Sequence, residues 1–366
     1  MSIAQNEQNK EVKSIKKKNP KYIKYLTLTT ENGLMFSNGT EEGKYIVENT
    51  YYNGFDLRLG FRKTDTTDIY NAIYRFPYHG VGYYLSLFNN DAIGMPQAIY
   101  YFFTIPLNEQ NKRWNFSYTG ALGLSYNFNP YDKEVNPRNL FIGSYSNCYV
   151  NLGFIAEYTI VSKWKLFGML GFKHFSNGAY RLPNSGINIV PFTMGVRYKF
   201  SDYDFKNNKS IVNKDYKPIG IFNIMMAVGI RDFTKEKMDE YKKMTLGFNY
   251  LRQVSYKYRM GLGVDIFFTE KSSDNRSTVR NTTSLALVGS WEWVLTKRLY
   301  VPIGLGIYLH RNKENGEQKF YYERAGIRYV IFDNLSLGLT IKAHAGAADY
   351  FEWSISYAFK SDPNKY

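Results

Sequence analysis

Apolar and polar residues alternate along short stretches of this chain, with polar turns between them, and that period of two limits the fold more than any other feature. Successive side chains of a strand point to opposite faces, so alternation means a sheet with one apolar and one polar face. Sixteen such segments are legible, at 22–36, 52–64, 78–89, 96–106, 113–128, 141–160, 163–176, 187–200, 218–232, 244–256, 258–270, 282–295, 298–311, 318–332, 335–346 and 350–359. No run of about 18 apolar residues occurs, which excludes a transmembrane helix. Yet the chain carries 34 Tyr and 26 Phe at a mean hydropathy of −0.42. Abundant aromatics, modest hydropathy and alternation together predict an all-β, antiparallel transmembrane β-barrel, with apolar residues outward and aromatic girdles at both interfaces.

The connections predict its orientation. Counted back from the C-terminus, every second one is tight: Asp333-Asn334, Leu295-Thr296-Lys297, Ser255-Tyr256-Lys257 and Val161-Ser162. Longer polar loops lie between them, at 129–140, 177–186, 271–281 and 312–317. Outer-membrane barrels have short periplasmic turns and longer outer loops, so 177–186 should lie outside and both termini in the periplasm. The polar stretch 201–216 breaks the pattern and divides the strands into two sets of eight. Each set ends on an aromatic-terminated strand, Tyr198-Lys199-Phe200 and Tyr357-Ala358-Phe359. The expected organisation is a basic tail (1–21), a first barrel half (22–200), a linker (201–216), a second half (217–359) and a short tail (360–366). Either two eight-stranded barrels or one sixteen-stranded barrel satisfies closure.

The formal charge is +15, and many lysines (Lys10, Lys13, Lys16, Lys17, Lys18, Lys21, Lys24) crowd the N-terminal tail. They form no nucleic-acid motif, so a solvated tail is expected and nucleic acid is not an expected partner. A single cysteine, Cys148, excludes an internal disulfide framework, and four scattered histidines lack metal-ligand spacing. No metal and no cofactor is expected. The opening Met1-Ser2-Ile3-Ala4-Gln5 looks like the end of an export signal without its charged and apolar regions, so a longer precursor is expected.

One run carries chemistry. In the segment 163–176 the three lysines, Lys163, Lys165 and Lys173, share the odd face, while Trp164, Leu166, Leu170 and Phe172 share the even one. A lipid-facing charge near mid-membrane costs about 2–4 kcal/mol, so the odd face belongs to the lumen. The segment 298–311 sorts likewise, with Leu299, Val301, Ile303, Leu305, Ile307 and Leu309 on one face. His174 and Ser176 are therefore expected on the lipid face at the outer rim, two residues apart and side by side. A histidine beside a serine can take its proton and make the hydroxyl a nucleophile. The base needs a third group to fix its tautomer; Asn188, at the start of the next strand, is placed for that, although an amide brings no negative charge. Asn177, Gly178 and Ala179 follow in a turn whose N–H groups, with the Asn177 amide, are candidates for an oxyanion hole.

The run His174-Phe175-Ser176-Asn177-Gly178, with Pro183-Asn184-Ser185-Gly186-Ile187-Asn188, resembles the signature of the outer-membrane lipid A 3-O-deacylase (PagL-like) or acyloxyacyl hydrolase family. Tyr78-His79-Gly80-Val81-Gly82, Ile93-Gly94-Met95-Pro96 and Asn136-Pro137-Arg138-Asn139 resemble stretches of its longer, Bacteroidetes-type members. The resemblance covers about residues 22–200. It implies an eight-stranded outer-membrane barrel that hydrolyses an ester-linked acyl chain of lipid A, with Ser176 as nucleophile, His174 as base and the 177–179 turn serving the oxyanion. The third position, Glu in the best-known members, is Asn188 here. The implied partners are lipid A or lipopolysaccharide in the outer leaflet and the membrane itself, and a homodimer is open to such a barrel. In the second half, His344-Ala345-Gly346 would place Gly346 where the first half has its serine, so that half is expected to be non-catalytic. The alternative functions are a channel, if one sixteen-stranded barrel forms, and a lipopolysaccharide-binding barrel without catalysis.

Overall fold

The computed structural model describes residues 20–109, 112–201, 216–232, 240–271 and 282–361. The sixteen strands form two separate closed barrels, each a meander in which every strand pairs antiparallel with its sequence neighbours. The first contains β1 (Tyr22–Met35), β2 (Asn53–Lys63), β3 (Tyr78–Leu87), β4 (Gly94–Pro106), β5 (Trp114–Phe128), β6 (Asn147–Val161), β7 (Trp164–Ser176) and β8 (Ile187–Lys199). The second contains β9 (Ile219–Asp232), β10 (Glu240–Gln253), β11 (Tyr258–Lys271), β12 (Thr283–Val294), β13 (Leu299–His310), β14 (Tyr321–Phe332), β15 (Leu335–His344) and β16 (Ala347–Lys360). β1 closes on β8, and β9 on β16. A single sixteen-stranded barrel does not form. The tail lysines up to Lys18 and most of 201–216 lie outside the described residues.

Alternation fixes which side of each strand is wet. On β7, Trp164, Leu166, Leu170 and Phe172 are exposed on the outside, while Phe167, Met169, Lys173 and Phe175 are buried within. On β13, Ile303, Leu305, Ile307 and Leu309 project outward and Tyr300 inward. Exposed aromatics cluster at both ends of the strands, among them Trp164, Phe200, Phe332 and Phe359 at the turn end and Phe36, Tyr145 and Phe320 at the loop end. An apolar exterior with aromatic rims is the surface that a bilayer covers. Among the described residues no helix is long and apolar enough to cross a membrane.

The lumens are packed, as an eight-stranded circumference requires. Arg58, Tyr84, Tyr149, Lys173 and Phe175 fill the first, and Tyr322 and Tyr350 are among those filling the second, all without solvent exposure of consequence. Their charges are paired. Lys173 meets Glu31 on β1, and Arg58 meets Asp56 at 2.7 Å. In the second barrel Arg324 bridges Asp265 and Glu352, both at 2.5 Å. The alternative channel reading required the single large barrel, which does not form, and the described residues fill both smaller interiors.

Two short helices complete the first barrel where the alternation pattern showed only loop. α1 (Glu41–Glu48) sits at the loop end, its first turn capped by Thr40, whose hydroxyl accepts from the Gly43 N–H at 3.0 Å. Its Ile46 joins Tyr52, Phe88, Ile93 and Phe141 over the barrel mouth. α2 (Ile69–Ile73) lies at the turn end, capped by Asp68, so the 64–77 connection is long on the side expected to carry tight turns. β6 begins at Asn147 rather than 141, because Phe141 and Ile142 leave the sheet to cover the mouth.

The barrels touch at both ends. At the turn end, Tyr70, Ile73 and Tyr74 of the α2 region pack with Phe103 and Ile105 against Trp293, Leu295, Leu299 and Val301, and the Tyr74 hydroxyl donates to the Val294 carbonyl at 2.6 Å. At the loop end the Asp232 N–H donates to the Ala179 carbonyl at 2.9 Å, and the Leu182 N–H to the Asp232 carboxylate at 3.3 Å. The 177–186 loop is thus held by the second barrel as well as by its own.

Candidate active site

The outward face of β7 is set by what its inward face grips. Lys173 is buried against Glu31, and Phe175 packs against Tyr149 and Phe128 at centroid distances of 5.4 and 5.5 Å. With those two locked inside, alternation turns His174 and Ser176 outward. His174 lies directly across from Asn188 of β8 in the ladder. Its Nδ1 stands 2.7 Å from the Asn188 side-chain oxygen. Nδ1–H donating to that oxygen leaves Nε2 unprotonated, the tautomer a base needs. The third residue of the constellation is therefore in hydrogen-bonding contact with the histidine.

Ser176 closes β7 opposite Cys148 of β6. Its hydroxyl is engaged by the loop: the Asn184 side-chain amide donates to it at 2.9 Å, and the Gly178 N–H at 3.1 Å. Among the described residues no hydrogen bond joins Ser176 to His174. The two are neighbours on one face, and a turn of the serine hydroxyl from Asn184 toward the imidazole is required before the proton can move; such bonds often tighten only with substrate bound.

The turn after Ser176 has a defined form. The Tyr180 N–H donates to the Asn177 carbonyl at 3.3 Å, and Gly178 and Ala179 both have positive φ, +65° and +62°. That is a type I′ turn, which glycine enters freely and alanine only with strain of about 1–2 kcal/mol. Strained backbone held by its surroundings concentrates at functional loops.

Asn177, one of the candidate oxyanion donors, makes bonds within its loop. The Asn177 side chain donates to the Ser144 hydroxyl and to the Arg181 carbonyl, both at 2.8 Å, and its backbone N–H donates to the Asn184 oxygen at 3.0 Å. Asn177 braces the loop, because its amide is committed to tying 177–181 to the 144–147 stretch. The N–H of Gly178 is directed at Ser176 Oγ. Asn184 was missing from the candidate residues, although it stands in the Pro183-Asn184-Ser185-Gly186 run; it bonds both the Ser176 hydroxyl and the turn that follows.

Gly186 is a further requirement. Its φ is +75°, and a Cβ there would lie 2.6 Å from His174 Cε1. Gly186→Ala should leave the barrel folded but push the imidazole off Asn188, and a displacement of that kind costs about 10²-fold in turnover. Steady-state kinetics with the folded variant test this; an unchanged kcat would remove His174 from the reaction.

Among the described residues the second barrel lacks this arrangement, for a reason that revises the expected correspondence. On β15, Lys342 is buried and bonded to Asp349 at 2.7 Å, as Lys173 is bonded to Glu31. Aligning the two inward lysines matches His174 with Ala343 and Ser176 with Ala345, not Gly346. His344 falls two residues after the lysine and points inward, where Nε2 stands 3.0 Å from the Tyr308 hydroxyl. β15 and β16 are joined by Ala345 and Gly346 alone, where the first barrel has the whole 177–186 loop.

Residues 221–361 match the family described as acyloxyacyl hydrolase, C-terminal domain. The match spans β9 to β16, the barrel without the outward histidine and serine, whereas the resemblance read from the sequence lay on residues 22–200. At this coarse level the match supports an acyloxyacyl-hydrolase-like chain. No curated relative matches it in sequence. Among solved structures it is similar to the outer membrane protein Omp33 of Acinetobacter baumannii, with 6% identity, 93% of this chain and 99% of that one covered, and a TM-score of 0.16. It is also similar to OccAB4 of the same organism (9% identity, 93% and 99% covered, TM-score 0.24) and to the translocator domain of the autotransporter NalP of Neisseria meningitidis (8% identity, 94% and 89% covered, TM-score 0.15). At such TM-scores these likenesses carry no argument about this chain.

Proposed function

We propose that this chain is an outer-membrane serine ester hydrolase that removes an ester-linked acyl chain, at the 3-O position, from lipid A or a related outer-leaflet lipid. The observation that carries this reading is the outward placement of His174 and Ser176, with Asn188 on His174 Nδ1 at 2.7 Å. A base and a nucleophile on the outward side of β7, with Ser176 covered by its own loop and only 6% exposed, are nearer to an acylated lipid than to bulk water, whereas a water-soluble substrate would have to leave water to reach them. The match to acyloxyacyl hydrolase, C-terminal domain, over the second barrel supports the same chemistry.

In the proposed reaction His174 Nε2 takes the Ser176 proton as Oγ attacks the ester carbonyl. The Gly178 N–H stabilises the oxyanion of the tetrahedral intermediate, a contribution of about 2.7–4 kcal/mol per donor. His174 then gives the proton to the departing sugar oxygen. Water, deprotonated by the same imidazole, attacks the acyl-serine and releases a fatty acid. Asn188 holds the ring throughout but cannot offset the imidazolium charge.

The test is mass spectrometry of lipid A from cells expressing the wild type or Ser176→Ala. A difference of one acyl chain is expected, and identical spectra would sink the proposal. Asn188→Asp refines it. A charge-assisted hydrogen bond is about twice as strong as a neutral one, so kcat should rise by about tenfold, equivalent to about 1.4 kcal/mol. An unchanged kcat would mean that imidazolium stabilisation does not limit the rate.

A further inference from the structure

Ser176 does not face open lipid on all sides. In the outward row across the first barrel, Leu124 of β5 lies opposite Cys148 of β6, and Cys148 opposite Ser176. Over Leu124 and Cys148 the two barrels enclose a cavity of about 970 Å³. That is at the upper end of the range of about 300–1,000 Å³ for small-molecule sites. Its far wall belongs to the second barrel: Val228, Met244, Phe351 and Trp353. Phe351 packs so closely on Gly178 that a Cβ there would strike its ring.

Charge in the lining sits at the edge or turns away. Lys242 and Glu270 form an exposed pair at 3.6 Å, while the Lys243 ammonium enters the second barrel and donates to Thr269 at 2.9 Å. The rest of the described lining is apolar, apart from Ser146, Asn147, Asn177 and the Tyr180 hydroxyl at the end nearest the site. Such a lining excludes a sugar or a phosphate and accepts a hydrocarbon chain, with the polar part of the lipid left at the serine end.

We propose that this inter-barrel cleft holds the acyl chain of the scissile ester, and that the C-terminal barrel, which lacks the catalytic pair, supplies the wall that selects chain length. This rests on the hydrolase reading above. Away from the contacts between the barrels, an outward side chain of the described residues offers a lipid one wall only. Within the cleft two walls fix the chain, and the row Leu124–Cys148–Ser176 leads from it to the nucleophile. A chain so held presents its ester carbonyl to Ser176 in a limited set of poses, which is what positioning contributes to rate.

Two measurements on the full chain test this. In the first, wild type and Val228→Trp are compared on hexadecanoyl and butanoyl esters in detergent micelles. Narrowing the cleft should lower the ratio of kcat/KM for the long ester to that for the short one by at least about tenfold, since one methylene in a fitted apolar pocket is worth about 10–200-fold. In the second, the unmodified chain is photolysed with a hexadecanoic acid bearing a terminal diazirine. Adducts should concentrate on Met244 and Phe351 over Leu28 and Leu305, which face outward elsewhere. This readout needs neither catalysis nor a folded variant. Ser176-dependent hydrolysis with an unaltered chain-length profile and evenly spread adducts overturns the cleft. So does a dimer of the chain that shields the cleft from the probe. Concentrated adducts without ester hydrolysis would keep the cleft as an acyl site and remove the hydrolase reading.

Discussion

Ser176→Ala and His174→Ala should each reduce ester hydrolysis by at least about 10⁴-fold, and the double variant should be no slower than either single one. In serine hydrolases whose nucleophile and base act as a unit, removing either costs about as much as removing both, about 2 × 10⁶-fold in one well-measured case. The smaller figure is set here because Asn188 offers the imidazole an amide and not a carboxylate, so less rate enhancement stands to be lost. A 10⁴-fold loss corresponds to about 5.5 kcal/mol of transition-state stabilisation. The residual rate should come from the Gly178 N–H, which stays in the turn although Ser176→Ala removes its present acceptor, and from binding. The measurement is kcat for fatty-acid release from a micellar ester by the folded single and double variants. Multiplicative losses would mean that the two residues act separately. Full activity in His174→Ala would assign the proton transfer elsewhere, with Asn184 and its 2.9 Å contact to Ser176 still positioning the hydroxyl.

Strand alternation made the barrel legible before any coordinate. Three lysines on the odd face of 163–176 determined which side of β7 was wet, and the burial of Lys173 against Glu31 follows from that single argument. The pairing of His174 with Asn188 was legible for the same reason, because a ladder offset of fourteen residues across one loop leaves little choice of register. What alternation could not reveal lies where backbone leaves the sheet. α1 and α2 are one to two turns long and sit in polar stretches, so their caps, Thr40 and Asp68, read as ordinary loop residues. The Asn177 amide was read as a candidate for an oxyanion, and it donates to the nearby Arg181 carbonyl and to Ser144, the latter a long-range bond that no local pattern encodes. The inward turn of His344 was in principle readable, since it follows Lys342 by two residues and alternation puts both on one face; matching histidine to histidine hid it. The choice between one barrel and two depended on which strands β1 and β9 close upon, and pairing partners at that distance are invisible to local alternation.

The same inward grip that turns His174 and Ser176 outward predicts the largest loss of stability. Glu31→Ala should destabilise the first barrel by about 3–5 kcal/mol, because it leaves the Lys173 ammonium buried without its partner. The Glu31 carboxylate gathers Lys173, the hydroxyls of Tyr52 and Tyr84, and Thr193 at 3.1 Å, so four groups lose an acceptor at once. Removing both charges is a different case. Glu31→Leu with Lys173→Met replaces a buried ion pair by apolar groups of similar size, a change that is often close to neutral. The double variant should therefore recover the part of the stability lost to the unpaired ammonium, while the hydroxyls of Tyr52, Tyr84 and Thr193 still lack the Glu31 acceptor, read as the temperature at which the folded band converts to the unfolded one on electrophoresis in detergent. Activity should follow a different order. The introduced thioether side chain would still point inward from β7 but without a fixed bond to β1, so His174 and Ser176 would lose part of their aim while the barrel stayed intact. A double variant with restored stability and reduced kcat would separate the two roles of Lys173. Equal recovery of both would assign the orientation of the catalytic face to Phe175 and its aromatic neighbours alone.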